Sequence, residues 1–261
     1  MEVHHHPDVE KKGFKEYLLE GLMIFIAVTM GFFAESIREH LSDRSKEHEY
    51  IISIKKDLIT DTANLDVWIP SMGLRAAYYD SLIMCLQTGG PVKNGGDMYF
   101  YARIATRASN YEPSDNTVLE MKSSGNLRLV HDRTIVNGLV ELDRAFGHYK
   151  SLVDVDERED MMLYPLLGDL FDASIFNNMV KMKNMHATEK DYAAGQRSST
   201  SRPAGNPQLR KYNKDEINML IYCLHQRKSS FLGEIHDLTA QKYLATSLIA
   251  RIDKVYKVQD E

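Results

Sequence analysis

The apolar positions of this chain follow two different patterns. Between Leu18 and Ala34 they are continuous. Gly21 to Ala34 reads GLMIFIAVTMGFFA without a charge, and only Glu20 interrupts the run that Leu18 and Leu19 begin. Apolar side chains then cover every face of a helix, whereas a helix lying on a soluble domain keeps a polar face. At 1.5 Å per residue, Leu18 to Ala34 covers about 25 Å. That is slightly less than an average hydrocarbon core, a mismatch that bilayer thinning and snorkelling side chains absorb. Residues 17–35 are therefore expected to be a transmembrane anchor, with Leu18, Leu22, Ile24, Phe25, Ile26, Val28, Phe32 and Phe33 facing lipid. Ala34-Glu35-Ser36 loosely imitates a signal-peptidase site. The helical pattern continues past it, which favours an uncleaved signal anchor over a cleaved signal or a buried core helix.

Beyond the anchor the apolar positions become periodic. After a charged stretch, Arg38 to Glu49, a stripe at Ile51, Ile54, Leu58, Leu65 and Trp68 keeps heptad spacing, with Asp61 in the gap. Pro70 is expected to end this juxtamembrane helix, residues 36–70. A second helix, Leu74 to Leu86, would stop at Gly89-Gly90-Pro91 and fold back as an αα-hairpin. A helical domain, residues 71–185, follows. It contains a helix from Met98 to Arg107 after a Gly-rich loop, and a short capped helix from Asn116 to Ser124. Pro113, Ser114 and Asp115 would start that short helix and Gly125 would stop it. A long stripe follows at Ile135, Leu139, Leu142, Phe146, Tyr149 and Val153, and then an apolar stretch from Met161 to Met182 bent near Pro165. Residues 186–212 are small and polar and read as a mobile loop. Asn213 with Glu216 forms a capping-box signature for a last helix, residues 213–261. Its row Ile217, Leu224, Phe231, Leu238, Ala245 and Ile252 repeats every seven residues. The companion row is Ile221, Lys228, Ile235, Lys242, Ile249 and Tyr256, a seam of mixed character. The expected fold is all-α: an N-terminal transmembrane helix, preceded by a flexible tail over residues 1–16, and a helical bundle of long heptad-patterned helices.

Composition narrows the function classes. A net charge of −5, with no basic arm or Arg-rich helix, argues against nucleic acid as a partner. Cys85 and Cys223 are far apart and each lies in an apolar helical pattern, which favours buried thiols over a disulfide. No hydrolase, phosphate-loop, dinucleotide, zincin or kinase signature is present, and no cofactor is expected. Adjacent residues on a helix do not face one another, so Lys122-Ser123-Ser124-Gly125 reads as a helix end rather than a Ser/Lys pair. The acidic run Asp154, Asp156, Glu157, Glu159, Asp160 lacks the glycine and spacing of an EF-hand, and a solvated helix face is expected. His4, His5 and His6 read as a solvated tail. Glu20 and Glu35 stand near the ends of the span, where intramembrane carboxylates are candidate functional groups. Interfacial positions are preferred for both, with Glu35 close to Arg38. Ala27 and Gly31 form a small-xxx-small pair that permits close contact with another helix.

Two segments, HHHP with FKEYLLEGLMIFIAVTMGFFAESIREHLSD (His4 to Asp43) and YEPSDNTVLEMKSSGNLRLV (Tyr111 to Val130), resemble a bacterial membrane-protein family of unknown function from the Bacteroidota. The resemblance implies a single-pass inner-membrane protein with a helical domain and native histidines, and brings no activity. Basic residues are nearly balanced across the span: Lys11, Lys12 and Lys15 before it, Arg38, Arg44 and Lys46 after it. The compact lysine cluster on a short tail favours a cytoplasmic N-terminus and a periplasmic domain. The expected role is a scaffold, sensor or assembly subunit acting through a protein partner or as a homo-oligomer, with the lipid bilayer as its other partner. The alternatives are a membrane-associated receptor or enzyme with an unrecognised site, and an oligomeric pore or ion-coupled subunit using Glu20 or Glu35.

Overall fold

The computed structural model describes residues 13–88, 91–105, 110–182 and 198–258. The architecture is all-α. Helix α1 spans Phe14–Thr88, α2 Pro91–Ala105, α3 Asn116–Ser124, α4 Arg133–Leu170, α5 Ala173–Met179 and α6 Lys214–Tyr256. A 3-10 turn, Asn126–Leu129, joins α3 to α4. The only strands among the described residues are β1 (Val180–Met182) and β2 (Ser198–Thr200), which pair antiparallel.

Three long helices form the core. Ion pairs Lys55–Asp253 and Lys228–Asp80, with the contact of Lys242 and Asp66 between them, show that α6 runs antiparallel to α1. Arg251–Asp132 at one end and Arg227–Asp160 at the other show the same for α6 and α4. The chain between α1 and α4 returns along α1 as a broken fourth strut. Tyr79 bonds to Ala105, Tyr111 to Asp61, and Tyr50 to Glu120 and Asn126. The result is an up-down-up-down bundle whose second member is interrupted.

Pro70 does not end the first helix, and the αα-hairpin expected on either side of it does not form; α1 spans 75 residues and runs through it. The heptad phase explains this. Ile51, Leu58, Leu65, Met72, Tyr79 and Leu86 are spaced by seven across Pro70, and all are buried. Pro70 and Asp66, the residue whose carbonyl loses its donor, are both exposed, so water can take that carbonyl. Pro165 is handled the same way in α4. The two apolar stretches expected around the acidic run are therefore one helix of 38 residues.

Further corrections concern the loops. Helix α2 begins at Pro91 rather than Met98 and includes Gly95 and Gly96. A Cβ on Gly95 would lie 1.9 Å from the Pro207 carbonyl oxygen, so that close approach requires glycine. The segment from Ser198 to Tyr212, expected to be mobile, is pinned. Asn206 Oδ1 accepts from Gly95 N–H, Arg202 pairs with Asp97 and lies 4.4 Å over the Phe100 ring, and Arg210 N–H donates to Leu170. The rest of that loop, residues 186–197, lies outside the described residues. The expected stop at Gly89-Gly90 and the His4–His6 tail lie outside them as well. Asp115 precedes α3, but its side chain makes no cap. Asp61 and Asp57 of α1 receive Ser114 N–H (2.7 Å) and Thr117 N–H (3.4 Å) instead. Gly125 is left-handed (φ 72°), as expected of a helix stop. Asn213 caps α6 through Asp215 N–H and Glu216 N–H.

Candidate functional site

Helix α1 contains one window of mean hydropathy 1.9, long and apolar enough to cross a membrane, and none of that window is packed against the rest of the chain. Leu18, Leu22, Ile24, Phe25, Ile26, Val28, Phe32 and Phe33 are all exposed. The same helix places Ala27 and Gly31 in the open, and a Cβ at Gly31 would meet nothing within 4 Å. Glu35 accepts both Nε (2.9 Å) and Nη2 (2.5 Å) of Arg38 one turn on. Glu20 stands on the exposed face a full span away. No residue from Phe14 to Lys46 is buried.

The bundle core begins at Glu47. Its carboxylate accepts the His131 backbone N–H and sits 2.8 Å from the His131 ring; it also accepts the Tyr256 hydroxyl. Burial raises the Glu47 pKa, but these donors outweigh it and hold the group below the usual carboxylate range. Beside it Lys55 bridges Asp253 and the Val258 carbonyl, and Arg251 binds the α4 N-cap Asp132 at 2.5 Å. The start of the packed part of α1, the start of α4 and the end of α6 thus meet in one polar clasp, where the projecting helix leaves the bundle.

A second polar layer lies deep in the bundle. The Arg227 guanidinium contacts Asp156 (2.8 Å), Asp160 (3.2 Å) and Glu234 (3.4 Å), all four side chains being at least nine-tenths buried. Arg227 and Arg75 also lie 5.2 and 5.3 Å from the Phe231 ring. Burial, then a hydrogen bond to Asp156 and that group's charge, push Glu234 up to about 8. Glu234 therefore holds a proton at neutral pH, and donates it toward Asp156. Burial also raises Asp160 against the pull of Arg227. The acidic run is thus a solvated face only in part: Asp156 and Asp160 point inward, and Glu159 accepts the Ser230 hydroxyl.

Sequence reasoning missed this layer because it chose the wrong companion row. In α6 the second buried row is Leu220, Arg227, Glu234, Gln241 and Leu248; the expected row from Ile221 to Tyr256 is half-buried. Three polar residues in succession disguise the inner row as surface. The heptads of α4 carried the signal. Ile135, Leu142, Tyr149, Asp156, Leu163 and Leu170 are spaced by seven, as are Leu139, Phe146, Val153, Asp160 and Leu167. Extended through the acidic run, both rows place aspartates in the core.

Cys85 and Cys223 are buried free thiols, and burial raises both. Lys122 pairs with Asp143, while Ser123 and Ser124 donate to the Glu120 carbonyl. A cavity of about 30 Å³ opens beside Asp57, Asp61 and Ser114, room for roughly one water molecule. Among the described residues no group of three or more His, Cys, Asp or Glu side chains is arranged to hold a metal ion. Compared with known proteins, the chain matches no family model, no curated protein and no solved structure.

Proposed function

We propose that this chain is a single-pass membrane protein whose helical bundle serves as a scaffold, sensor or assembly subunit through protein contacts. One observation carries the reading: a fully exposed apolar segment runs without a break into the heptad core of the bundle. In water such a surface would collapse or aggregate; a bilayer covers it at no such penalty. An unbroken helix also couples the two parts mechanically. Movement of the span displaces Glu47, and with it His131 of the α4 lead-in and Tyr256 of α6. The charge pattern around the span supports a cytoplasmic N-terminus and a periplasmic bundle at a bacterial inner membrane.

Alkaline carbonate washing of membranes tests the anchor: the protein stays in the pellet, and release into the supernatant refutes the span. Orientation is read by a reporter cysteine at the exposed Ser229. The native thiols are buried, so a maleimide excluded by the inner membrane labels the reporter in intact cells when the bundle is periplasmic. Cross-linking in native membranes followed by sizing in mild detergent tests the role. A species strictly monomeric and without a cross-linked partner removes the scaffold reading.

A further inference from the structure

Where α1 leaves the bundle, it and the 3-10 turn before α4 enclose an open groove of about 590 Å³. One wall is the helix itself, with Ile37, His40, Leu41, Asp43 and Arg44. The other is Arg128, Leu129 and His131. Three features of this groove point the same way. The first is polarity along its length. Ile37 and Leu41, both largely exposed, lie toward the apolar span, while Arg44, Arg128 and His131 lie toward the bundle. The second is charge. Neither Arg44 nor Arg128 forms an ion pair or hydrogen bond with any described residue, although most basic side chains along the bundle seams are paired. Asp43, the carboxylate in the lining, lies within salt-bridge distance of neither arginine. The third is depth. A hydrocarbon layer of about 30 Å that begins at Leu18 ends near Ile37. Leu41 and Arg44 then stand roughly 6 and 10 Å beyond it, at headgroup level and just past it, within reach of an arginine that extends toward the interface.

The geometry points to a binding site for one anionic phospholipid of the surrounding bilayer. Its phosphate is held between the guanidinium groups of Arg44 and Arg128, and its acyl chains run over Leu41 and Ile37 toward the span. Arginine suits a phosphate because its donors form a planar fork that can take two oxygens at once. A zwitterionic lipid carries its own cation outside the phosphate, which opposes the same pair of arginines. This assignment rests on the anchoring proposed above. It adds a consequence for the bundle: a bound headgroup ties the emerging helix to Arg128 and fixes the angle at which the bundle stands on the membrane.

The test is native mass spectrometry of the full chain in mild non-ionic detergent, with dioleoylphosphatidylglycerol or dioleoylphosphatidylcholine added. The chain retains one phosphatidylglycerol in preference to phosphatidylcholine. The double variant R44Q/R128Q, whose exposed side chains hold no folded contact, loses affinity for it roughly thirtyfold, the worth of two basic contacts at an anionic surface. The control variant K46Q/R133Q removes two nearby charges outside the groove and keeps the lipid. Equal retention of both lipids, or equal loss in both double variants, overturns the site in favour of diffuse attraction. Carbonate washing of the same three proteins separates the underlying reading: a chain that binds no lipid but stays in the pellet refutes the groove alone, and release of all three refutes the anchor and the groove with it.

Discussion

Glu234 reaches the core of the bundle as one of three carboxyls around the Arg227 guanidinium, and its proton is what lets that crowding persist. Its pKa in the folded chain, about 8, lies above its usual 4.5. Between those values the folded chain holds a proton that the unfolded chain releases. This contribution is therefore complete below about 4.5 and is lost as pH rises toward 8. Asp160 and Asp61, also raised by burial, act in the same direction. Glu47 and Asp132 are lowered and lose their contribution only in more acidic solution. The stability of the full chain in detergent, followed by its thermal midpoint, should accordingly fall from about pH 5 to pH 8, the unfolding free energy by at most about 1.4 kcal/mol per pH unit for one proton. E234Q should flatten that slope and melt above the parent at pH 8; an unchanged slope would assign the effect elsewhere. R227M should be far more damaging, by about 3–5 kcal/mol, because it strands buried carboxylates. Replacing Arg227, Asp156, Asp160 and Glu234 together by apolar residues of similar volume should restore most of that loss in the same melt.

At the scale of elements, periodicity outweighed the local breaker. An interior proline is about 3 kcal/mol worse than alanine in a helix, yet α1 passes through Pro70 because buried residues continue in phase on both sides of it. P70A should therefore raise stability by roughly 1–3 kcal/mol in chemical denaturation. A helix that truly ended there would show no such gain. The strap from Ser198 to Tyr212 rests on the opposite kind of detail, one close backbone approach. G95A places a methyl group against the Pro207 carbonyl. It should cost about 1–3 kcal/mol and expose the strap to limited proteolysis, with α4 and α6 remaining resistant. Helix boundaries at Gly125 and Asn213 were legible because their signals are local: a left-handed glycine, and a side chain two or three residues from the amides it caps. The cap on α3 was not, because its acceptors, Asp57 and Asp61, come from α1.

For the whole molecule, the polar layers divide the apolar core into three. Around Asp61 and Gln241, the cluster of Ile51, Leu139 and Leu248 gives way to that of Leu65, Tyr149 and Leu238. Around Arg227, the latter gives way to the cluster of Leu82, Leu163 and Leu224. Three long heptad helices with uniform cores could slide by a heptad; layers that must meet their own partners penalise such a slip. The bundle therefore stands in one register on a projecting helix of which no residue from Glu35 to Lys46 is buried. Hydrogen exchange of the detergent-solubilised protein should show those amides exchanging well before those from Glu47 to Leu86. Protection equal to the bundle's would mean that another copy or a partner packs against them.

The sequence alone determined the apolar span, the all-α class and the row from Ile217 to Ile252, because each is a matter of composition or of one helix's own period. Which second row turned inward, whether Pro70 ended a helix, and which carboxylates were buried were decided by the tertiary structure. A heptad read from one chain segment gives a helix's phase, but only the facing helices determine whether an arginine or aspartate on its margin meets water or meets its counter-charge.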